Sequence, residues 1–302
     1  MDLDYFVVDV FTETPLKGNP LAVVMNTAAL KTEQMQAIAR EFNLSETTFI
    51  ERRAADVELV EGVRVRIFTT QEELNFAGHP TLGTASVLRL HAPDTLRGNT
   101  VTLAENVGAV PVRFRDAGLY GEMTQRDPEF GAELDPAEVA RLIGLELKDL
   151  DPAVPPQTVS TGTAFAIVVL RSAEALTRLR VDQLQATLWL RERGARWFYV
   201  LGPESNQDAQ KHNVSPSTEW RARMQFYGGE DPATGSAAGC AISHLVARSA
   251  VASGATIHLR QGVEIGRPSD LFLSARKELA RVTDVRVAGS TVLVANGKLF
   301  LR

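Results

Sequence analysis

The sequence predicts an α+β fold of two pseudo-symmetric domains, in each of which a mixed sheet wraps around a central helix. Three observations lead to this prediction. The length of 302 residues favours two domains of roughly 150 residues each. Short sequence patterns recur in the same order in both halves. Each half also contains a helix-length run of small and apolar residues, which is typical of a helix buried on all sides.

Four pairs of similar segments make up the repeat, and their members lie roughly 150 residues apart. A drift of several residues in the separation fits loop insertions in a duplicated domain. Chance similarity between two α+β segments remains the alternative explanation. The pairs are Gly18–Val24 with Gly162–Val169, Glu33–Ala37 with Asp182–Ala186, Thr48–Ile50 with Trp197–Tyr199, and Arg64–Ile67 with Arg221–Met224.

Each half is predicted to contain a strand, a helix, two strands, a turn and a second helix. The first long helix, about Lys31–Phe42, has apolar residues at a spacing of three or four, which indicates one buried face. The second, about Thr81–Leu90, is almost wholly small or apolar, as is its partner Ser236–Arg248. The strands are rich in β-branched and aromatic residues: Tyr5–Phe11, Leu21–Met25, Val63–Phe68, Thr158–Val169 and Trp197–Leu201. An extra helix is expected over Asp135–Leu145, with Pro136 in its first turn.

Composition narrows the class of protein. The chain is 44% hydrophobic and 23% charged, with a net charge of −5 and no basic tract, so neither nucleic acid nor an anionic membrane is an expected partner. The N-terminus lacks the basic start of a signal peptide, and no apolar run is long enough to span a bilayer. The single cysteine excludes an intrachain disulfide. We therefore expect a cytoplasmic protein.

Two glycine-containing turns enter the two buried helices and are candidate binding sites. The first unpaired N–H groups of a helix, together with its dipole, form a ready site for a carboxylate or phosphate. Ala77–Thr81 contains such a turn with His79, and Asp231–Ser236 contains the other with a carboxylate and a hydroxyl. If the halves are duplicated, the turns are equivalent and could face each other across a cleft. Simple helix capping by Ser and Thr is the alternative.

A third candidate is Glu46, which follows the first amphipathic helix and precedes a strand. Its carboxylate could point inward at this junction, although a solvated loop glutamate fits the sequence equally well. The remaining histidines, His91, His212, His244 and His258, show no metal-ligand spacing, and we expect no metal site.

These segments together resemble the phenazine-biosynthesis isomerase (PhzF-like) family, whose fold is that of diaminopimelate epimerase. The similarity spans nearly the whole chain in family order. The matching segments are Phe11–Val23, Asn43–Thr47, Phe76–Thr81, Met123–Gln125 and Glu230–Ala237.

The resemblance implies a cofactor-independent isomerase, a homodimer, and a site in the cleft between the domains. The expected domains are residues 1–118 plus about 291–302, and residues 119–290. The family's catalytic glutamate falls on Glu46, its site histidine on His79 and its site aspartate on Asp231. Its substrate-binding serine falls on Ser236, and Gly235, Gly78 and Asn19 are expected to bind substrate as well.

Epimerase relatives place one cysteine at each turn, but this chain has Ala77 and Pro232 at those positions. Cys240 lies deeper in the second helix and is expected to be a core residue. Epimerisation by two thiols is therefore excluded.

We expect Glu46 to move a proton within a small unsaturated amino or hydroxy acid of the trans-2,3-dihydro-3-hydroxyanthranilate type. Two alternatives remain open: an acyl hydrolase using Ser236, His79 and Asp231, and a non-catalytic protein that binds small acids. The sequence around Ser236 is not the Gly-x-Ser-x-Gly elbow of hydrolases, and a hydrolase would leave Glu46 unused.

Overall fold

The computed structural model describes residues 1–115, 118–204, 218–226 and 229–301, so His212 lies outside the described residues. The chain divides into two compact units. The first contains Met1–Thr124 and Ala288–Arg302, and the second contains Gln125–Val287. The division suggested by the sequence placed these boundaries at 118/119 and about 290/291.

A mixed sheet forms the framework of the first unit. Its order is β19–β1–β2–β3–β4–β6–β7–β8, in which β2/β3 and β4/β6 are parallel pairs and the other neighbours are antiparallel. The short β5 extends the edge of β4. The strands are β1 (Asp2–Val10), β2 (Asn19–Val24), β3 (Glu46–Glu51), β4 (Val63–Phe68), β5 (Glu73–Leu74), β6 (Thr100–Glu105), β7 (Gly108–Phe114), β8 (Gly121–Thr124) and β19 (Thr291–Phe300).

Helix α3 (Gly78–His91) is the centre of this unit, and every residue from Gly78 to Leu88 is buried. It packs against β1, β2, β3, β6, β7, β8 and β19, so the sheet surrounds it. Gly83 allows the close approach, because a Cβ there would lie 2.6 Å from Cδ2 of Leu21 on β2. The buried hydroxyls of the helix find partners inside the unit: that of Thr84 lies 2.8 Å from that of Thr48 on β3.

Two further helices pack outside the sheet of the first unit. Helix α1 (Thr32–Phe42) buries Met35, Ile38 and Ala39 against the sheet, which is the face that its apolar spacing predicts. Helix α2 (Ala55–Glu61) has no fully buried residue, and the sequence patterns did not predict a helix there.

The second unit repeats this strand order. Its sheet runs β9–β10–β11–β12–β13–β16–β17–β18, again with two parallel pairs, β11/β12 and β13/β16, at the same places in the order. The strands are β9 (Glu129–Glu133), β10 (Gln157–Ser160), β11 (Ala164–Val169), β12 (Trp197–Pro203), β13 (Glu219–Arg223), β16 (Ile257–Gln261), β17 (Ser269–Glu278) and β18 (Arg281–Gly289), with β14 (Gln225–Phe226) and β15 (Gly229–Glu230) as a separate pair. The predicted fold of two similar α+β halves is confirmed.

Helix α6 (Gly235–Ala247) is the central helix of the second unit, buried throughout from Gly235 to Val246. It packs against β10, β11 and β17. Helices α4 (Pro136–Leu142) and α5 (Gln183–Glu192) pack outside this sheet around a cluster of buried aliphatic residues. Short 3-10 helices occur at Pro93–Thr95, Leu147–Asp149 and Ala173–Arg178.

Three sequence-based boundaries need correction. The single strand predicted over Thr158–Val169 is a hairpin of β10 and β11, because Gly162 adopts a φ of 136° in the connecting turn. Helix α3 begins at Gly78, three residues before its predicted start, since Pro80 is tolerated in the first turn of a helix. Helix α4 ends at Leu142 and not at Leu145. None of the described helices is long and apolar enough to cross a membrane.

The solvent-facing side of the second sheet contains a histidine between two carboxylates. Nδ1 of His258 lies 2.7 Å from Oε2 of Glu219, and Nε2 lies 2.7 Å from Oδ1 of Asp270. Carboxylate oxygens only accept, so both ring nitrogens donate and the ring is an imidazolium. The hydrogen bond with Asp270, supported by Glu219, raises the pKa of His258 above its ordinary value of 6.5.

This arrangement predicts a pH-dependent contribution to stability. A group whose pKa is raised on folding stabilises the folded protein fully at pH values below its unfolded pKa of about 6.5. This stabilisation is lost as the pH rises through the pKa of the folded state. Urea unfolding should therefore show that His258→Gln lowers the free energy of unfolding by about 1 kcal/mol or less near pH 6, and by less near pH 9.

The matched control is His91→Gln, which changes a histidine that stacks on Phe6 and does not lie between two carboxylates. An equal effect of His258→Gln at both pH values would contradict the imidazolium assignment.

Candidate active site

Glu46, His79 and Asn19 form a cluster in the first unit. Oε2 of Glu46 lies 3.4 Å from Nε2 of His79, and Nδ2 of Asn19 lies 3.1 Å from Nδ1 of the same ring. The Glu46 side chain is 13% exposed, so it is largely removed from water but still accessible. His79 and Asn19 are buried. Three of the residues suggested by the sequence therefore come together here.

The topology of the sheet produces this cluster. Asn19 begins β2 and Glu46 begins β3, and these strands are parallel, with Leu21 opposite Glu46 in the register. His79 is the second residue of α3, the helix that the sheet surrounds. Parallel strands present their corresponding ends at one edge of a sheet, so the first residues of β2 and β3 lie at the same edge.

The loop that leads to Asn19 at the start of β2 contains strained backbone. Phe11, Leu16 and Gly18 have positive φ angles of 64°, 67° and 67°, and Phe11 is a fully buried, bulky residue. The carboxylate of Asp9 accepts a hydrogen bond from the Leu16 N–H at 2.6 Å, which stabilises the conformation of the loop. Backbone strain of this kind persists only where the surroundings enforce it, and it concentrates at functional sites.

The protonation of His79 follows from its neighbours. Nδ2 of Asn19 can only donate, so Nδ1 accepts and the ring proton lies on Nε2, facing Glu46. Burial lowers the pKa of His79 from 6.5 to about 3. The imidazole is therefore neutral at ordinary pH and offers one N–H toward the Glu46 carboxylate.

The first turns of the two central helices are not capped by side chains. The N-cap residues are Ala77 in α3 and Thr234 in α6, and neither side chain accepts a hydrogen bond from a helix N–H. The capping interpretation of these turns is therefore not supported. Gly78 is the first residue of α3, and Gly235 and Ser236 are the first two residues of α6.

The residues suggested in the second unit also lie close together. Asp231 is buried, and its Oδ2 accepts a hydrogen bond from Oγ1 of Thr234 at 2.6 Å. This bond ties the aspartate to the residue immediately before Gly235 and Ser236. The neighbouring acid Glu230 is engaged elsewhere, in two hydrogen bonds to the guanidinium of Arg223.

Two buried glutamines, whose roles the sequence reading did not identify, hold the turn of the second unit. Gln261 donates to the Asp231 carbonyl at 2.8 Å and to Oγ1 of Thr234 at 3.0 Å. Gln125 donates to the Gly235 carbonyl at 2.9 Å and accepts from Thr161 at 2.7 Å. A Cβ on Gly239 of α6 would lie 1.9 Å from Oε1 of Gln125, so any side chain there would displace this glutamine from its hydrogen bonds.

One signal in the sequence could have identified Gln261. Ile257 and Leu259 alternate with polar residues in β16, and Gln261 occupies the next inward position. The same argument applies to Glu105, which follows the buried Val101 and Leu103 in β6. A polar residue at an inward position must find partners inside the protein.

Other features of the described residues lie away from these clusters. No group of three or more His, Cys, Asp or Glu within the described ranges is arranged to hold a metal ion. A cavity of about 590 Å³ in the second unit is lined by proline and aliphatic residues with Lys148 and Arg171, and includes none of the suggested site residues.

Comparison with known proteins agrees with this architecture. A family model described as phenazine biosynthesis-like protein matches residues 8–297. The trans-2,3-dihydro-3-hydroxyanthranilate isomerase of Pseudomonas aeruginosa is 35% identical over 303 residues, which cover 98% of this chain and 99% of that protein.

Solved structures show the same likeness. A Pseudomonas aeruginosa protein described as a predicted epimerase is 34% identical, with a TM-score of 0.80 over 99% of this chain and 100% of that one. A PhzF-family protein of Bacillus anthracis has a TM-score of 0.82 over 100% of both chains, and at 24% identity it shows the shared fold alone.

The duplicated fold and these relatives define an enzyme of the isomerase class. The chain belongs to the phenazine biosynthesis-like (PhzC-PhzF) family. The resemblance inferred from the sequence motifs is thereby confirmed.

The only cysteine of the chain, Cys240, is a core residue, as expected. It is fully buried in α6, and burial raises the pKa of its thiol from 9.0 to about 12. A thiol that is neither ionised nor accessible does not react with disulfide reagents. Modification of the native protein should therefore proceed only at the rate of unfolding, and the same reagent should react at once in urea. Rapid stoichiometric labelling of the native protein would contradict this assignment.

Proposed function

We propose that the enzyme is a cofactor-independent isomerase that moves a proton within a small unsaturated amino or hydroxy carboxylic acid. Glu46 is the acid and base of this reaction. The observation that carries the proposal is the contact of its carboxylate with a neutral imidazole in a largely buried cluster.

The surroundings of Glu46 suit a base that must also return its proton. A cationic imidazolium at 3.4 Å would stabilise the carboxylate and weaken it as a base, whereas neutral His79 brings no positive charge to it. Partial exclusion from water makes the carboxylate a stronger base toward a C–H group. The side chain keeps 13% of its surface exposed.

The proposed step conserves atoms and electrons. The Glu46 carboxylate takes a proton from a carbon next to the unsaturated system, and the C–H electron pair delocalises into that system toward the substrate carboxylate. The protonated Glu46 then gives the proton to a different carbon on the same face. A double bond shifts, and no group is gained or lost.

Substrate binding is proposed to use the uncapped helix starts. The N–H groups at Gly78 and His79 in α3, and at Gly235 and Ser236 in α6, are suited to a carboxylate and to developing negative charge. Asn19, which contacts His79, is proposed to bind the substrate and to orient it. Asp231 and the imidazole of His79 are proposed to hydrogen-bond the amino or hydroxyl group of the substrate.

The substrate class follows from the family. The Pseudomonas aeruginosa relative is named for its action on trans-2,3-dihydro-3-hydroxyanthranilate, and we propose a substrate of that type for this enzyme. A homodimeric state and a cytoplasmic location remain predictions.

The hydrolase alternative is disfavoured by the residues that contact the His79 ring. A nucleophile–base–orienter set would need Asp231 to orient the imidazole. Within the first unit Asn19 contacts Nδ1 and Glu46 contacts Nε2, so both ring nitrogens already lie against other residues.

The role of Glu46 is tested by Glu46→Gln. The amide keeps the shape of the side chain but cannot accept a proton, so kcat should fall by about 10²- to 10⁴-fold while substrate binding changes little. Steady-state turnover of trans-2,3-dihydro-3-hydroxyanthranilate and calorimetric binding are the measurements. The matched control is Glu51→Gln at the other end of β3, where the carboxylate pairs with Arg64 and Arg66. Wild-type turnover by Glu46→Gln would remove Glu46 from this role.

Proton transfer through carbon is tested by turnover in D₂O. Mass spectrometry of the product should show deuterium at the carbon that receives the proton, or internal return of hydrogen from a substrate deuterated at the donor carbon. Hydrolysis of a substrate ester without either isotope result would support the hydrolase instead.

A further inference from the structure

Glu105, the last residue of β6, lies beneath the first turn of α3 and is not used in the proposed reaction. Its side chain is buried, and its Oε1 lies 2.6 Å from Oγ1 of Thr81. The same Thr81 oxygen lies 2.8 Å from the carbonyl of Ala77, the N-cap residue of α3. Between Ala77 and Thr81 lies His79. The carboxyl group is thus joined to the turn that carries the site histidine.

The number of protons shared by Glu105, Thr81 and Ala77 determines which group donates each hydrogen bond. A hydroxyl has one proton, and a carbonyl oxygen can only accept. If Thr81 donates to Ala77, the contact between Thr81 and Glu105 needs a proton from the carboxyl group. An ionised Glu105 would have to take the Thr81 hydroxyl proton, and the Ala77 carbonyl would then keep only its hydrogen bond from the Thr81 N–H at 3.1 Å.

Burial favours the same proton position. Oε2 of Glu105 is buried without a hydrogen-bond partner, which costs far less for a neutral carbonyl oxygen than for a charged carboxylate. Burial raises the pKa of Glu105 from 4.5 to about 8, against the opposing effects of the Thr81 hydrogen bond and of Arg64. Arg64 on β4 is the charged group near it, while α3 contributes Thr81 and β7 places Gly108 opposite it in the ladder.

The second unit contains a similar contact, although Thr234 is the N-cap residue of α6 and Thr81 is the fourth residue of α3. Gln261 ends β16 as Glu105 ends β6, and each strand runs parallel to the corresponding neighbour, β13 or β4. Gln261 donates to Oγ1 of Thr234 at the start of α6. An amide can donate but cannot ionise. The equivalent position in one half is therefore a permanent neutral donor to a threonine at the start of the central helix.

We propose that Glu105 is a neutral carboxylic acid that donates to Thr81 and positions the His79 turn for the reaction of Glu46. It is a positioning residue and acts through Thr81 and Ala77 without touching substrate. The part that concerns turnover rests on the proposed function of Glu46 and His79. Loss of the Glu105 proton would remove the donor, bury a charge and release the turn, so activity would fall reversibly at alkaline pH.

The protonation state is tested without any substrate. Infrared difference spectra of the full-length wild-type protein and Glu105→Gln, both at neutral pH, should contain the C=O stretch of one protonated carboxylic acid that the variant lacks. The band should disappear on titration to alkaline pH. Its absence from wild-type protein at neutral pH would overturn the proposal, whatever reaction the enzyme catalyses.

The positioning role is tested with three variants. Glu105→Leu removes the donor and should lower kcat by about 10- to 100-fold, as expected when a catalytic group is displaced by an ångström or less. Glu105→Gln introduces the residue found at the corresponding position of the second unit. Its kcat should lie close to that of the wild type and should decline less at alkaline pH. Ser86→Ala is the matched control, since Ser86 donates to the Leu82 carbonyl on the same helix and lies away from Glu105.

A second measurement covers the case in which Glu105→Leu is poorly folded. The ¹⁵N signals of the His79 ring report its tautomer, and Glu105→Gln and Ser86→Ala should retain the wild-type pattern. A wild-type kcat and His79 spectrum in a folded Glu105→Leu protein would overturn the positioning role. Failure of Glu46→Gln to reduce turnover would refute the proposed function but would leave the infrared result unaffected.

Discussion

The burial of nearly the whole of one helix in each unit is the constraint on which the rest of the structure depends. A helix surrounded by a sheet has no solvent face, so each polar side chain on it needs a partner within the unit. In α3 the hydroxyls of Thr81, Thr84 and Ser86 meet Glu105, Thr48 and the Leu82 carbonyl. Close packing also requires small residues, such as Gly83 against Leu21 and Gly239 against Gln125. Small residues at the helix start in turn leave the first N–H groups unobstructed.

The two units solve the same structural problem with different chemistry. Both have the same strand order, and in both a polar residue at the end of an inner strand contacts a threonine at the start of the central helix. The residue is an acid in one unit and an amide in the other. Only the unit with the acid contains Glu46 and His79, so the halves have diverged in their electrostatics while retaining their topology.

The neutral state of His79 shows how burial outweighs a nearby charge. An imidazole 3.4 Å from a carboxylate would ordinarily gain a proton, but desolvation of the fully buried ring lowers its pKa to about 3. His258 is the opposite case in the same chain, since it remains partly exposed between two carboxylates and its pKa is raised. Burial therefore decides which histidine serves as a neutral donor and which as a cation.

The sequence alone determined the duplicated fold, the two central helices and the identities of the suggested site residues. This was possible because hydrophobic periodicity, small-residue runs and family motifs are properties of short segments. Only the tertiary structure decided the hairpin at Gly162, the tautomer of His79 and the roles of Glu105, Gln125 and Gln261. These depend on partners far apart in the chain: Glu105 meets Thr81, and Gln261 meets Asp231 and Thr234. A buried polar group is defined by such partners, and local sequence does not encode which distant residue folding will bring to it.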